Sequence, residues 1–396
     1  MTSEVRAPGP WRKPPPRRRL AALALAVAMV AGAAHAAPRL IVRGDQILGP
    51  SGAPIQLRGF NWYEDAQPGD AERNAALGAN YVRLIMGWRE SKTGTCEPSS
   101  AAWNDAYDPA APDGLDPRRL AAMDAMIAQA GAHGLWVDLT IRGADCGFWG
   151  DPAMMDRFVA LWRALAARYR NTPSIGSYEI LSEPRPQPDR KDNAPVKALY
   201  ARVIGAIRSV DPVTPIMLGP APGYNPRNLE AVYMGPIPGL IYTANFYEPT
   251  GYAFELKKGA AAGGYPGVYP DHMARSFACD YPKKGLGAVS VDRTWLANLV
   301  GCLTAFRAAR HVPVLVDQVG VRSGTPGSAA WTRDILDILD QQHIGWAYWV
   351  YRRAYVGGAH YLMGDDLGVL WQDENGAWHA KDDWLSLVGG ELRQGR

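Results

Sequence analysis

The chain has 396 residues, 47% of them hydrophobic and 20% charged, with 42 basic against 39 acidic residues and a formal net charge of +3. That balance excludes wholesale disorder, and the length admits one large domain or several smaller ones at roughly 100–200 residues each. Fourteen tryptophans and 18 tyrosines against seven phenylalanines favour rings with polar tips, suited to wet, stacked contacts.

The first element is a leader. Arg6, Arg12, Lys13 and Arg17 to Arg19 precede an apolar run from Leu20 to Ala34, and Ala34-His35-Ala36 places small residues at alternate positions. This order of basic, apolar and small residues is that of a secretory signal. The run of 15 residues is shorter than the ~20 that span a bilayer. The expected organisation is therefore a signal over residues 1–36 and one domain over 37–396, secreted or periplasmic and monomeric. Removing the signal takes away six basic residues and one acid, Glu4, so the formal net charge falls to −2. The basic surplus belongs to the leader, and neither nucleic acid nor, once the signal is cleaved, a membrane is an expected partner. Cys96, Cys146, Cys279 and Cys302 stand singly. In an exported chain they read as two disulfides, with Cys96–Cys146 and Cys279–Cys302 preferred among three connectivities and free buried thiols as the alternative. There is no H-E-x-x-H and no tight Cys/His cluster, so no metal and no cofactor are expected.

Beyond the leader, residues 39–60 read as a small hairpin around the turn Gly49-Pro50-Ser51-Gly52. Strand-like runs follow at Leu57–Asn61, Asn80–Ile85, Leu135–Thr140, Ile175–Leu181, Thr214–Leu218, Leu240–Phe246, Pro313–Gln318 and Ile344–Val350. Helical stretches lie between them. Asp116-Pro117 starts one, with Leu120, Met123, Ile127 and Ala130 on one face and Gly131 or Gly134 at its end; Asp151-Pro152 starts another, stopped by Asn171 and Pro173. Eight strands interleaved with helices predict an α/β fold with a parallel sheet, doubly wound or closed. No G-x-G-x-x-G or P-loop follows a strand and there is no G-x-S-x-G elbow, which counts against nucleotide-binding sheets and α/β-hydrolases. The prediction is a single (β/α)8 TIM barrel with a small N-terminal hairpin.

Such barrels place their chemistry at the C-terminal ends of the strands. Read in order, those ends hold Asn61-Trp62, Arg83, Thr140 with Arg142, Glu183, Asn245 with Tyr247, Asp317-Gln318 and Trp349. The long insertions Glu90–Leu115 and Glu248–Ser290 follow strands and are expected to shape a cleft. Glu183, just past its strand and ahead of Pro184, is presented to the mouth; an ion pair with Arg185 is the alternative reading. Trp62, Trp88, Trp149 and Trp349, with Tyr224, Tyr247, Tyr252 and Tyr269, are expected to give this mouth aromatic planes suited to the C–H faces of a pyranose.

The segments "LRGFNW", "NYVRLIMGW", "YEILSEP", "IYTANFYEP", "PVLVDQVGV" and "WAYWVYR", in this order, resemble glycoside hydrolase family 5, the cellulase and mannanase type of barrel, over roughly Pro38 to Leu387. The resemblance implies hydrolysis of β-glycosidic bonds with retention by two glutamates at the ends of the fourth and seventh strands. It makes Glu183 the general acid/base, Arg83 a support for the nucleophile, Tyr247 its neighbour, and Trp349 a platform under the sugar. Trp62 joins these as a substrate-binding residue.

Three positions depart from the pattern. Ser182 stands where the family has an Asn that holds the sugar 2-hydroxyl, and Asn245 stands in place of a His. Gln318 stands where the nucleophilic Glu belongs, and an amide matches a carboxylate in shape without its charge. A retaining mechanism needs a carboxyl pair around 5–5.5 Å apart. Asp317 is expected to face the helices if Gln318 faces the barrel, since side chains alternate along a strand; only a bulge could turn it inward. An inverting route needs a base at roughly 6.5–9.5 Å, for which Asp145, Glu248, Asp365 or Asp366, all in expected mouth loops, are the candidates. Two classes of function follow: a secreted glycoside hydrolase of a β-linked glucan or mannan with an altered mechanism, or an inactive barrel that binds glycans in the retained cleft.

Overall fold

A computed structural model describes residues 38–63, 66–88, 111, 115–142, 147–186, 189, 191–253, 264–270, 288–353, 367–373 and 375–394. The expected signal lies outside these residues, as do Cys96, Cys146 and Cys279; Cys302 is half-buried on a helix.

The chain enters through an antiparallel hairpin, β1 (Ile41–Arg43) and β2 (Gln46–Leu48), paired Ile41 to Leu48. Its turn is at Gly44-Asp45, where Gly44 takes a left-handed φ of 58°. The expected turn at Gly49–Gly52 forms one step later and folds Pro54 back onto Leu48. The Gly-rich segment was a sound turn signal; a shorter turn that carries a single glycine had already closed the hairpin.

Six parallel strands follow: β3 (Arg58–Trp62), β4 (Tyr81–Gly87), β5 (Trp136–Arg142), β6 (Ile175–Glu179), β7 (Ile216–Leu218) and β8 (Leu240–Phe246). An antiparallel pair that sequence reasoning did not anticipate, β9 (Gly267–Pro270) and β10 (Ala288–Val291), lies within the second long insertion. Strands β11 (Val314–Val319) and β12 (Gly345–Tyr348) complete a closed barrel in the order β11-β12-β3-β4-β5-β6-β7-β8. A small sheet of β13 (Arg352–Arg353), β14 (Leu370–Gln372) and β15 (Trp378–Ala380) follows. The helices are α1 (Asp70–Leu77), α2 (Pro117–Ala132), α3 (Pro152–Tyr169), α4 (Ala194–Arg208), the single turns α5 (Leu229–Val232) and α6 (Thr250–Ala253), α7 (Arg293–Arg310), α8 (Ser328–Gln341) and α9 (Asp382–Gln394). The fold is thus the (β/α)8 barrel expected from the alternation.

Local chemistry sets the helix starts. Asp116, Asp151 and Asp292 cap α2, α3 and α7 by accepting from the backbone N–H of Arg118, Met154 and Trp295. Each cap is worth ~1 kcal/mol, and the prolines at the start of α2 and α3 lack a donor the helix could not use there.

Packing divides the barrel into levels. Between strands and helices lies one continuous core that includes Val82, Leu84, Phe158, Trp162, Tyr242 and Trp331. Inside the barrel, the end that the hairpin closes is filled by Leu40, Ile47, Leu57, Tyr81, Met217, Ile241, Leu315 and Ala347. At the opposite end Ile85, Trp349, Val350 and Leu367 pack together. Between these two apolar levels the interior is polar, and the site is built there.

Candidate active site

Alternation along β4 puts Tyr81, Arg83 and Ile85 on the inner face. Arg83 is fully buried and its guanidinium crosses the barrel. It donates from Nε to Glu179 Oε2 at 2.6 Å and from Nη2 to Glu179 Oε1 at 2.5 Å, from Nη1 to Asn61 Oδ1 at 3.0 Å, and from Nη2 to Ser182 Oγ at 2.8 Å. Tyr224 adds a hydrogen bond to Glu179 Oε1 at 2.8 Å. The close approach of this ring requires Gly219, where a Cβ would lie 2.2 Å from the Tyr224 ring. Burial opposes a charge on Glu179, but Arg83 overrides it and pulls the carboxyl down to about 2. A fork-on-carboxylate pair of this kind is among the stronger charged contacts.

The floor holds two more acids. Asp138 accepts from Ser177 Oγ at 2.5 Å, and Asp317 Oδ2 lies 3.2 Å from Arg83 Nε. Burial pushes both carboxyls well above the usual range, and the charge on Glu179 adds to the effect. One guanidinium against three carboxyls thus favours the charge on Glu179, which Arg83 grips directly, over Asp138 and Asp317.

Asp317 corrects the expectation from alternation. On β11, Val316 pairs with Ala244 of β8 and Gln318 with Asn245, so Asp317 is an extra residue in a bulge. The bulge turns Asp317 inward next to Gln318, and Asn61 Nδ2 holds its carbonyl at 2.9 Å. A bulge re-aims side chains in this way by breaking the two-residue period.

Above the floor lie the mouth residues. Glu183 has a left-handed φ of 51°, a conformation that costs a non-glycine residue of order 1–3 kcal/mol and is concentrated at functional sites. Its Oε1 accepts from Asn245 Nδ2 at 2.7 Å. The Gln318 amide is oriented by its neighbours: its oxygen accepts from Arg83 Nη1 at 3.0 Å, while its nitrogen donates to Tyr247 Oη at 2.9 Å and to Glu183 Oε1 at 3.1 Å. Glu183 Oε2 faces Arg185 Nη2 at 3.6 Å and Arg142 Nη2 at 3.8 Å. Arg142 also donates to Tyr63 Oη at 2.8 Å, and the Tyr63 ring meets Trp349 edge-on with centroids 5.5 Å apart. Asn245 Oδ1 is buried and has no hydrogen-bond partner among the described residues.

The structure therefore brings Glu183, Gln318, Asn245 and Tyr247 into one hydrogen-bonded patch, with Arg83 and Ser182 directly beneath and Trp349 at its side. Ser182 is held by Arg83 and is only 3% exposed. Trp62 does not join them. Asn61 occupies the inner face of β3, so Trp62 points outward and donates from Nε1 to Asn74 of α1 at 3.1 Å. Trp88 is likewise outside the mouth, packed on Phe148 and Phe158. Tyr252 and Tyr269 pack on each other, and Trp149 packs on Phe148. Of the expected mouth aromatics, Tyr247 and Trp349 are at the site and Tyr224 is beneath it. Asp145, Asp365 and Asp366 lie outside the described residues. Glu248 is buried, with its backbone carbonyl accepting from Trp331 Nε1 at 2.8 Å. Sequence reasoning missed Glu179, which lies four residues before Glu183 and is inward by strand parity, and Tyr63, which follows a strand end directly.

Residues 48–354 match the cellulase (glycosyl hydrolase family 5) model. Endoglucanase C from Acetivibrio thermocellus is 24% identical over 216 residues, and endoglucanase C307 from a Clostridium species is 23% identical over the same length. In both comparisons the match covers 51% of this chain and spans 61% of the relative's length. Among solved structures, endoglucanase Cel5A from Thermotoga maritima superposes with a TM-score of 0.61 at 20% identity, covering 84% of this chain and 96% of its own. The cellulose synthase subunit Z of Clostridioides difficile superposes with a TM-score of 0.60 at 16% identity, covering 85% and 99%. With the family model matching well over half of its length, this chain belongs to the cellulase family, glycosyl hydrolase family 5.

Proposed function

We propose that this protein is an exported glycoside hydrolase of β-linked polysaccharides or oligosaccharides, of glucan or mannan type, with Glu183 as general acid/base in a mechanism altered by Gln318. The observation that carries this reading is the convergence of Glu183, Asn245, Tyr247 and Gln318 in one bonded patch at the C-terminal ends of β6, β8 and β11. Trp349 and Tyr63 form an aromatic wall beside it, and Asn245 Oδ1, without a partner among the described residues, is an acceptor suited to a sugar hydroxyl. Relatives of this fold support the ligand class: Thermotoga maritima Cel5A has been crystallised with cellobiose and with mannotriose.

The chemistry follows from what each group can do. Gln318 cannot form a glycosyl ester with the anomeric carbon. Asp317, one residue away, is fully buried against Arg83, and burial pushes its carboxyl well above the usual range, which makes it a poor substitute nucleophile. The route left to this site is direct attack of water, with Glu183 protonating the leaving oxygen and a base in the mouth loops taking the water proton.

A second reading is favoured by the Gln318–Glu183 hydrogen bond itself. It ties the acid/base to an amide, and no second exposed carboxyl stands beside Glu183 among the described residues, so the barrel would bind glycans without cleaving them. Wild type, Gln318→Glu and Glu183→Gln, assayed on β-glucans, β-mannans and aryl β-glycosides, separate the two. Wild-type turnover reduced at least ~100-fold by Glu183→Gln, with inverted product stereochemistry, supports the altered hydrolase. Turnover that appears only in Gln318→Glu supports the binder. If none of the three binds or cleaves any glycan, the sugar-cleft reading fails.

A further inference from the structure

The turn that follows β7 is held by more bonds than a connection needs. Asn193 sits at the N-terminus of α4, but its side chain does not cap the helix. Its amide instead clamps Ala221, donating to the carbonyl at 3.0 Å and accepting from the N–H at 2.8 Å. Asn228 Nδ2 donates to the same carbonyl at 2.6 Å. Two residues further on, Gly223 and Tyr224 both take a left-handed φ of 60°. A second glycine at 224 would adopt this conformation freely. A tyrosine there is strained, and such strain persists only where the surrounding contacts impose it.

Those contacts run to the strand end that carries Glu183. Through the space left by Gly219, the Tyr224 hydroxyl reaches the Leu181 carbonyl at 2.5 Å as well as Glu179 Oε1 at 2.8 Å. Burial and the charge on Glu179 push the phenol well above its ordinary range, so it keeps the proton that it donates. The Gly223 N–H donates to the Pro184 carbonyl at 3.2 Å. Leu181 and Pro184 bracket Glu183, so the turn holds that left-handed residue from both sides. The same turn fixes the partner of Glu183. The Tyr224 carbonyl accepts from the Asn245 N–H at 3.0 Å, and the Gly223 carbonyl accepts from Asn245 Nδ2 at 3.3 Å. That aims the other hydrogen of the amide at Glu183 Oε1, 2.7 Å away.

We propose that Tyr224 is a positioning residue, whose hydroxyl and strained backbone lock the turn after β7 against residues 181–184 and so set where the Glu183 carboxyl meets the Asn245 amide. Tyr224 is fully buried, and it acts through Leu181 and Asn245 rather than by touching a ligand. In what it says of catalysis this deepens the hydrolase reading above and rests on it. The geometry of Glu183 and Asn245 does not, and the test reads that geometry directly.

The experiment follows hydrogen exchange of the Asn245 side-chain amide by NMR in the full-length, isotope-labelled chain, its signals being identified by their loss in Asn245→Ala. Wild type is compared with Tyr224→Phe, Asn193→Ala and Tyr169→Phe. Tyr224→Phe keeps the ring and removes the hydroxyl. Asn193→Ala releases the same turn from its outer side and carries the test if the first variant does not fold. Tyr169→Phe removes a phenol bond on α3, to Asp124 Oδ1 at 2.7 Å, and measures the general cost of such a loss. Under conditions of local opening, exchange at Asn245 should be at least ~10-fold faster in Tyr224→Phe and Asn193→Ala, equivalent to about 1.4 kcal/mol, and unchanged in Tyr169→Phe. Turnover of aryl β-glycosides is the second readout, on wild type or Gln318→Glu, whichever is active. Adding Tyr224→Phe should lower kcat at least ~10-fold with little change in KM, and adding Tyr169→Phe should change neither. Unchanged exchange in Tyr224→Phe overturns the proposal, as does an equal rise in Tyr169→Phe. Faster exchange with kcat unchanged overturns the link to catalysis. If neither parent turns over, the hydrolase reading fails, and the exchange rates alone uphold or overturn the role of Tyr224.

Discussion

In the floor of the barrel, Arg83 is fully buried and grips Glu179 through two hydrogen bonds at 2.6 and 2.5 Å. At the mouth, Arg142 and Arg185 stand 3.8 and 3.6 Å from Glu183 and reach solvent. The residue types are the same, and the environment assigns them different work. A buried guanidinium must be met by charge and hydrogen bonds because no water can solvate it. A guanidinium at an opening is partly solvated and gains little from an ion pair at such a distance. The floor is thus closed chemistry that holds Ser182, Asn61 and Gln318 in place, and the mouth is open chemistry.

Three substitutions sharpen or break that comparison. The largest effect is expected from Arg83→Met, which leaves the Glu179 carboxylate buried without its cation. The loss of unfolding free energy should be about 3–5 kcal/mol, read from denaturant melts, and a loss under ~1 kcal/mol would show that the floor is not the closed unit described. The next concerns Asp317, whose carboxyl burial raises well above 3.8. A raised group gives its full share of stability below its unfolded value and loses that share as pH rises toward its native value. Asn has no proton to lose, so in melts run from pH 4 to pH 8 the difference between Asp317→Asn and wild type should move steadily in the variant's favour. A constant difference would mean that Asp317 is charged in the fold. The smallest effect belongs to the mouth. Asn245→Ala removes the 2.7 Å bond to Glu183 and should cost no more than ~1 kcal/mol of stability; a loss as large as that of Arg83→Met would erase the distinction between the two levels.

Much of the site was legible from residue order. Ser182, Glu183, Asn245, Tyr247, Gln318 and Trp349 sit at or just past strand ends, and closure of the barrel gathers such ends whatever their separation along the chain; Arg83, expected there too, lies within β4 and reaches the site from below. The errors have one origin. Strand parity alone forbids Asn61 and Trp62 from sharing the inner face, and it makes Glu179 an inward residue once its strand is placed. For Asp317 parity misleads, because the bulge in β11 shifts the register by one residue and nothing in "VLVDQV" marks it. The second long insertion did not reveal the β9–β10 pair in the sequence, since that pair depends on two segments separated by 17 residues of chain.

The sequence by itself determined the eight strands and the starts of α2 and α3, because hydrophobic period and Asp-Pro caps act within a few residues. It also placed an amide, Gln318, at the end of the seventh barrel strand. Only the tertiary structure decided which arginine is spent on the floor and which remain at the mouth. That choice depends on burial and on distances across the barrel, between residues as far apart in the chain as Arg83 and Glu179 or Arg142 and Glu183, and no local pattern encodes either.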